Sequence, residues 1–535
     1  MAAVIVPLAA LDRRGQISEG LWRDEAQAVC TARSASAAQF FDRMPRDFNP
    51  PLFHVILAGV GRAIGFDEFP LKAFAQLLGL LVIPAVALVA VELFGLTGAA
   101  TAACLAALSP VLISLSAEVR PYSLTAILGC LSLWLVLRLF RKAGEDRVSF
   151  GSLLALAVVL ILLAYAHYSG LLMAGAIGCV ALLALWMTSG ERNRWRAVAA
   201  ACALAGLAFL PWLPVLLRQV RSGLPYSRPP SWEEMWEPLL EKLRPQVPRL
   251  WWGSGGQPGA ATNAMMCAWF LILLAGIVVI ARERDGEKTR QRQIACALVL
   301  GVALVIALLM RSAPQEPRYF VLIAALTTAL IGGMIGVAGA RHWFGRGLLV
   351  VVLAGVIGSH LATLPGRASG SEGPPPKSGV RTICQHGGLR PEDLVVLAPD
   401  YLGSTFWYYC WETPTTHGFP IWSNPSLPDW YHYREAWSSP TAIAETTERI
   451  RGTLHETGSD HFFLIWLPGL SGGTVEWGSR IRQLRAALAD EYSPGEPILA
   501  PGRAERVFLL EYKRKPAGQS YGGVMGSKPA PVMER

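Results

Sequence analysis

The sequence has little charge: 16% of its 535 residues are Asp, Glu, Lys or Arg, while 52% are of hydrophobic types. Soluble domains carry about 25% charged residues, so an ordinary water-soluble fold is excluded and an integral membrane protein is expected. The chain also lacks a Gly-rich loop ending in Gly-Lys-Ser/Thr and a Gly-x-Gly-x-x-Gly fingerprint, which removes sequence support for nucleotide-driven pumping. No two histidines are spaced His-x-x-x-His and no internal repeat stands out. Cysteine is sparse, and six of the nine lie in apolar runs, where a small buried hydrophobe is the default reading.

Long apolar runs are what the chain has in abundance. A span needs about 20 mostly apolar residues, and ten such stretches occur near 70–94, 97–117, 121–141, 150–168, 169–188, 197–220, 262–281, 292–311, 317–340 and 345–364. The opening "MAAVIVPLAALDRR" has only about ten apolar residues and no small-residue cleavage site, so it reads as a partial span rather than a signal peptide. The expected fold is a polytopic α-helical membrane domain of about 10–11 transmembrane helices over residues 1–365.

Basic residues mark loops that stay on the cytoplasmic side. "RLFRKAGEDR", "SGERNRWR", "ARERDGEKTRQRQ" and "RHWFGR" alternate correctly for that role. These loops and the basic tail account for most of the net charge of +9, so nucleic acid is not an expected partner. The opposite set faces outward: a first loop at 11–69, "SAEVRPYS", "AHYSG", residues 221–261, "RSAPQEPRY" and everything beyond 365. Within the first loop, "NPPLFHVILAGVGRAIG" is apolar but too short to cross, and a full span there would invert every later loop. It is expected as a helix on the outer membrane surface near 50–65.

A Pro/Gly/Ser-rich linker at 366–379 precedes strand-like "DLVVLAP", "HFFLIWLP" and "RVFLLEY", which alternate with helical patterns near 440–455 and 477–490. That pattern predicts a small extracytoplasmic α/β domain at 380–512, followed by a disordered tail at 513–535. Cys384 and Cys410 both fall in this domain, where an oxidising exterior permits a disulfide that spacing alone leaves open.

Five polar segments gather on the outer face: "LWRDE", "DFNPPLFH", "SAEVRPYS", "AHYSG" and "EPRYF". Ionisable groups at a bilayer edge are costly unless paired or used, so each residue has a plain alternative as an interfacial ion pair, and their convergence favours a site. Asp24 and Glu25 are adjacent and point about 100° apart on a helix, so one carboxylate can act as a base while the other pairs with Arg23 or a metal ion. Glu118 and Arg120 form either a local salt bridge or part of the site. Arg318, beside Tyr319, offers two parallel donors to a phosphate; its alternative is headgroup anchoring. His54 and His167 are metal or phosphate ligands, or satisfied interfacial histidines. Trp232, Trp236, Trp251 and Trp252 are sugar-stacking residues or, more commonly, members of an aromatic belt.

The order of an Asp-Glu pair in the first outer loop, "NPPLFH", "AEVRPYSL" and "PRYF" resembles the integral-membrane glycosyltransferases of the C-type (GT-C) fold. The likeness is to the bacterial branch similar to protein O-mannosyltransferases and lipid A aminoarabinose transferases, over residues 1 to about 365. This resemblance implies transfer of a sugar from a polyprenyl-phosphate donor to a lipid, glycan or protein acceptor on the outer face of a bacterial cytoplasmic membrane. It gives Asp24 the part of base or acceptor-orienting group with Glu25 beside it, Glu118 that of the second-loop acid, and Arg318, with Arg120 and Tyr319, that of the donor-phosphate site. His54, Asn49, His167 and Tyr122 are then substrate or surface-loop contacts; Asn49 stands where the family more often has His. No cofactor is expected except a divalent cation, Mg or Mn, at Asp24 or Glu118, which no spacing establishes. Rival readings are a transporter or flippase of lipid-linked sugars, which would place ionisable residues nearer the bilayer midplane, and a non-catalytic scaffold that binds partners through the outer domain.

Overall fold

The computed structural model describes residues 19–141, 148–187, 192–222, 321–341, 376–410, 415–420, 432–467 and 476–516, with 286, 318 and 347 as single positions. The opening segment, the expected spans at 262–281, 292–311 and, apart from position 347, 345–364, the four loop tryptophans, Tyr319 and the tail beyond 516 lie outside the described residues.

Helices α1 (Arg23–Ala32) and α2 (Ala37–Arg43) lead through a 3-10 turn at Met44–Asp47 to α3 (Leu52–Ile64). The 13 residues of α3 span about 20 Å at 1.5 Å per residue, short of a hydrocarbon core of roughly 30 Å. One face buries Phe53, His54 and Leu57 while Val55 and Ile64 are exposed.

The apolar helices follow as α4 (Glu68–Leu108), α5 (Pro110–Ser116), α6 (Tyr122–Arg141), α7 (Phe150–Ala166), α8 (Tyr168–Met187), α9 (Arg192–Phe209), α10 (Leu213–Ser222) and α11 (Val321–Arg341). Among the described residues, four stretches are long and apolar enough to cross a membrane: Glu68–Leu108, Tyr122–Phe140, Tyr168–Trp186 and Arg192–Ser222. The first two expected spans form one 41-residue element interrupted at Gly95, where φ is 73°. That element stops again before Pro110, whose missing amide and fixed φ suit the first turn of a new helix. Helix α11 lies against α4 so closely that a Cβ on Gly332 would come 2.6 Å from the Ala102 Cα. Small residues permit this approach, and backbone proximity replaces the hydrophobic drive that lipid does not supply.

Beyond the membrane helices lie α12 (Gly379–His386), β1 (Leu394–Ala398), α13 (Gly403–Tyr409), β2 (Thr415–Gly418), α14 (Tyr433–Ser438), α15 (Ala442–Thr457), β3 (His461–Trp466), α16 (Glu476–Glu491), β4 (Tyr492–Pro494), β5 (Ile498–Ala500) and β6 (Val507–Arg514). They build a six-stranded mixed sheet in the order β2-β1-β3-β6-β4, with β5 also on β6. Strand β1 runs parallel to β2 and β3, and β6 runs antiparallel to β3. All five β1 residues are buried because helices cover both faces. Leu394, Val396 and Ala398 pack with Ile450, Leu454 and Leu484, whereas Val395 and Leu397 pack with Val380, Ile383 and Phe406.

The first-loop helices share a core with the ends of the membrane helices, through Leu21, Val29, Phe53, Leu57, Leu71, Val119 and Trp212. Tyr408 and Tyr409 join this core from α13. The Leu21 amide donates to Tyr409 Oη at 2.6 Å, and Tyr408 Oη donates to the Phe66 carbonyl at 3.0 Å. An Arg381–Glu68 ion pair at 3.2 Å adds a further contact. A disulfide joins Cys384 to Cys410, with the Cα atoms 5.2 Å apart, and ties α12 to the end of α13.

Candidate active site

The "LWRDE" segment owes its path to a glycine and a glutamate. Gly20 has a φ of +77°, and a Cβ there would meet Tyr409 Oη at 2.8 Å; only glycine adopts this turn without strain. Trp22 then takes an extended conformation as the residue before α1. Glu25 Oε2 accepts from the Trp22 amide at 3.2 Å, which satisfies one of the donors that a helix start leaves open.

Adjacent positions on α1 send the two carboxylates to different partners. Asp24 accepts from Arg23 Nε at 3.0 Å and from Arg318 Nη1 at 2.9 Å. Burial pushes the Asp24 carboxyl up, but Arg23, Arg318 and Arg120 outweigh it and hold the group well below the usual carboxylate range. Its side chain keeps 19% exposure and that of Arg318 16%, so both remain reachable by a substrate. Aromatic faces orient the guanidiniums: Arg318 lies 4.9 Å from the Trp22 ring centroid, and Arg23 lies 4.5 Å from that of Tyr401. Such stacking favours one arrangement of an otherwise long and mobile side chain.

Glu25 is fully buried. It accepts from Lys72 Nζ at 2.6 Å, the Val119 amide at 2.7 Å and Lys377 Nζ at 3.3 Å. Burial raises its carboxyl, yet Lys377 and then Lys72 reverse the effect and keep it ionised. These contacts enclose Glu25 among two ammonium groups and a backbone amide. Glu118 differs, since its Oε2 has no hydrogen-bond partner among the described residues. Burial is the main influence raising its carboxyl, Lys377 opposes it, and the net shift is upward.

Arg120, expected at the donor phosphate, is turned inward. Its Nη1 lies 2.8 Å from Asp47 Oδ2 and donates to the Asp24 carbonyl at 2.9 Å, and the residue is buried. No Glu118–Arg120 bridge forms, because Asp47 supplies the nearer carboxylate. His54 Nε2 shares the same Asp47 oxygen at 2.6 Å, and Asn49 donates to the Asp47 carbonyl at 2.9 Å. Asn49, His54 and Arg120 therefore brace the turn at Asp47. His167 Nδ1 lies 2.8 Å from Ser169 Oγ, and its ring meets the buried Tyr122 ring edge-on with centroids 5.9 Å apart. Burial, with help from Arg120 and Arg318, pushes His167 down to about 4, so it is a neutral imidazole at ordinary pH.

The structure thus gathers Asp24, Glu25, Glu118, Arg120 and Arg318 at one end of the bundle under the C-terminal domain. It adds Trp22, Asp47, Lys72, Lys377 and Tyr401, which the sequence reading did not assign. Lys72 carried a usable signal, being a lone ammonium in an apolar run. Among the described residues, no three His, Cys, Asp or Glu side chains come together as a cation site, and Asp24 and Glu25 are already balanced by basic groups. Among the described residues, this arrangement does not fit a divalent cation.

Residues 49–157 match the sequence profile of the family described as dolichyl-phosphate-mannose-protein mannosyltransferase. Among solved structures, the chain is similar to ArnT from Cupriavidus metallidurans, in the apo state and bound to undecaprenyl phosphate, each at TM-score 0.59 and 14% identity over 95% of this chain and 97% of that one. It is also similar to the oligosaccharyltransferase AglB from Archaeoglobus fulgidus, in complex with an inhibitory peptide and a dolichol-phosphate, at TM-score 0.53 and 13% identity over 96% and 74%. The arabinofuranosyltransferase AftD from Mycobacteria matches at 0.50 and 17%, over 96% and 41%. No curated protein sequence matches. The fold is therefore similar to the GT-C fold of these solved structures, a set of apolar membrane helices followed by a small C-terminal α/β domain.

Proposed function

We propose that this protein transfers a sugar from a polyprenyl-phosphate donor to an acceptor hydroxyl on the outer face of the cytoplasmic membrane, with inversion at the anomeric carbon. The observation that carries the reading is the contact between Asp24 and Arg318, a partly exposed carboxylate and guanidinium 2.9 Å apart where the first loop meets the C-terminal domain. The acceptor oxygen forms a bond to the anomeric carbon as its proton passes to Asp24. The bond from that carbon to the phosphate oxygen breaks, and the electron pair leaves on the lipid phosphate, which Arg318 holds. A phosphate leaving group needs little protonation, so one base suffices and attack opposite the leaving group inverts the centre. Glu118, whose Oε2 is unpartnered among the described residues, orients the acceptor hydroxyl. Arg120 and Asp47 fix the backbone that carries Asp24.

Binding of undecaprenyl phosphate by ArnT and of a dolichol-phosphate by AglB supports this class of donor. The disulfide supports an oxidising side for the C-terminal domain, in agreement with the basic inner loops. A transporter is disfavoured by the position of the ionisable cluster, which lies at the bundle end under the domain rather than midway along the spans. The test is incubation of purified protein with radiolabelled polyprenyl-phosphate sugars and membrane acceptors. Labelled product with release of lipid phosphate is expected; movement of intact donor across liposomes without product would overturn the assignment.

A further inference from the structure

Glu25 is held by groups that lie far apart in the chain. Its Oε1 accepts from Lys72 Nζ at 2.6 Å and the Val119 amide at 2.7 Å; its Oε2 accepts from the Trp22 amide at 3.2 Å and Lys377 Nζ at 3.3 Å. Lys72 Nζ donates also to the Ala117 carbonyl at 2.8 Å. The backbone is therefore clamped on both sides of Glu118, at 117 by Lys72 and at 119 by Glu25. Lys377 belongs to the run that enters α12, at the end of the expected linker. The C-terminal domain fixes it through its carbonyl, which accepts from the Ala504 and Glu505 amides at 2.9 and 3.0 Å, while its own amide donates to the Glu19 carbonyl of the first loop at 2.6 Å.

We propose that the catalytic centre spans both domains, with Lys377 as a positioning residue whose ammonium holds Glu25 against the Val119 amide and so aims Glu118 at the acceptor. This rests on the transfer reading above. The charges around it are complementary. Glu25 and Glu118 are the acids that face Lys377, Lys72 is the second ammonium, and Glu19 is already paired with Arg503. Removal of Lys377 leaves a buried carboxylate with one ammonium fewer. Its anchor relaxes, and the segment at 117–119 loses part of its clamp. A role in domain docking alone predicts something else, since many other contacts join the domains and loss of one would change stability without a selective effect on turnover.

The test measures transfer by Lys377→Met, Lys377→Arg, Glu25→Gln and the Glu25→Gln/Lys377→Met double variant, with donor concentration varied. Lys377→Met should lower kcat at least ~10-fold with donor KM within ~2-fold, the pattern of a lost transition-state arrangement rather than lost donor binding. Lys377→Arg should restore most of kcat. The double variant should be no worse than the poorer single, because both act through one contact. If Lys377→Met does not fold, Lys377→Gln, which keeps a donor without the charge, carries the same comparison. Unchanged kcat in Lys377→Met, equal loss in Lys377→Arg, or multiplicative loss in the double variant would overturn the proposal while leaving the transfer reading intact. Absence of transfer by the wild type from every donor would overturn both.

Discussion

Arg318 Nη1 lies 2.9 Å from Asp24 Oδ2, so the proposed base and the proposed phosphate-holding group form an ion pair with each other. A donor phosphate competes with Asp24 for that guanidinium. Its arrival removes one of the three arginines that hold the Asp24 carboxyl low, and the base becomes stronger when the donor is in place. Asp24→Asn is therefore expected to bind undecaprenyl phosphate at least as tightly as the wild type. Titration of purified protein with the lipid checks this, and weaker binding by the variant would count against the shared guanidinium.

Arg318→Lys should lose much of the donor affinity although the charge is kept. An ammonium neither offers parallel donors nor stacks on the Trp22 ring as a planar guanidinium does. A drop of roughly 10-fold or more in kcat/KM for the donor is expected, about 1.4 kcal/mol of transition-state stabilisation. Donor-saturation kinetics provides the measurement.

Asp47→Asn should be strongly destabilising. The Asp47 side chain is 4% exposed and serves both Arg120 and His54, and its loss leaves a buried guanidinium without its hydrogen-bonded carboxylate, at a cost of about 3–5 kcal/mol. Thermal unfolding in detergent should show a large fall in midpoint. Asn49→Ala, which removes only a donor to the Asp47 carbonyl, should cost about 1 kcal/mol.

His167 predicts a pH dependence of stability. Its folded-state value is pushed from 6.5 down to about 4, so below about 6.5 the unfolded chain takes up a proton that the native imidazole refuses. Stability is then fully present above that pH and falls as pH drops towards about 4; at pH 5.5 the loss is about 1.4 kcal/mol. Unfolding midpoints at pH 7.5 and 5.5 should differ more for the wild type than for His167→Gln. Equal differences would remove His167 from the account.

On the proposed mechanism, the acidic arm of the pH–rate curve is expected to report Glu118. Burial raises its carboxyl, so an ionised Glu118 is lost, as pH falls, at a higher pH than an ordinary glutamate would give. Glu118→Gln should lower the rate and flatten that arm. An unchanged arm would place the titrating group elsewhere.

The parts of the site legible in the sequence were those where one residue breaks its surroundings. Asp24, Glu118 and Arg318 are charges at the edges of apolar runs, and positive-inside alternation puts them on one side. The strands at 394–398, 461–466 and 507–514 were legible for a similar reason, since short apolar runs between turn residues leave few alternatives. Pairing over long separations was not legible. Lys377 and Glu25 are 352 positions apart, and nothing in a Pro-rich stretch marks one lysine as buried. The inward turn of Arg120 was hidden in the same way, because its partner Asp47 lies 73 positions earlier and nearby Glu118 looked the simpler match. The break at Gly95 was invisible to a hydropathy reading, which sees apolar length and not φ.

The most direct test of the central claim is a single-turnover experiment with a radiolabelled polyprenyl-phosphate sugar, comparing wild type with Asp24→Asn at saturating donor. A general base contributes roughly 10²–10⁴-fold, so the variant should release lipid phosphate and form labelled product slower by that factor while still holding the donor. Equal single-turnover rates for the two proteins would contradict the role of Asp24 and the transfer mechanism built on it.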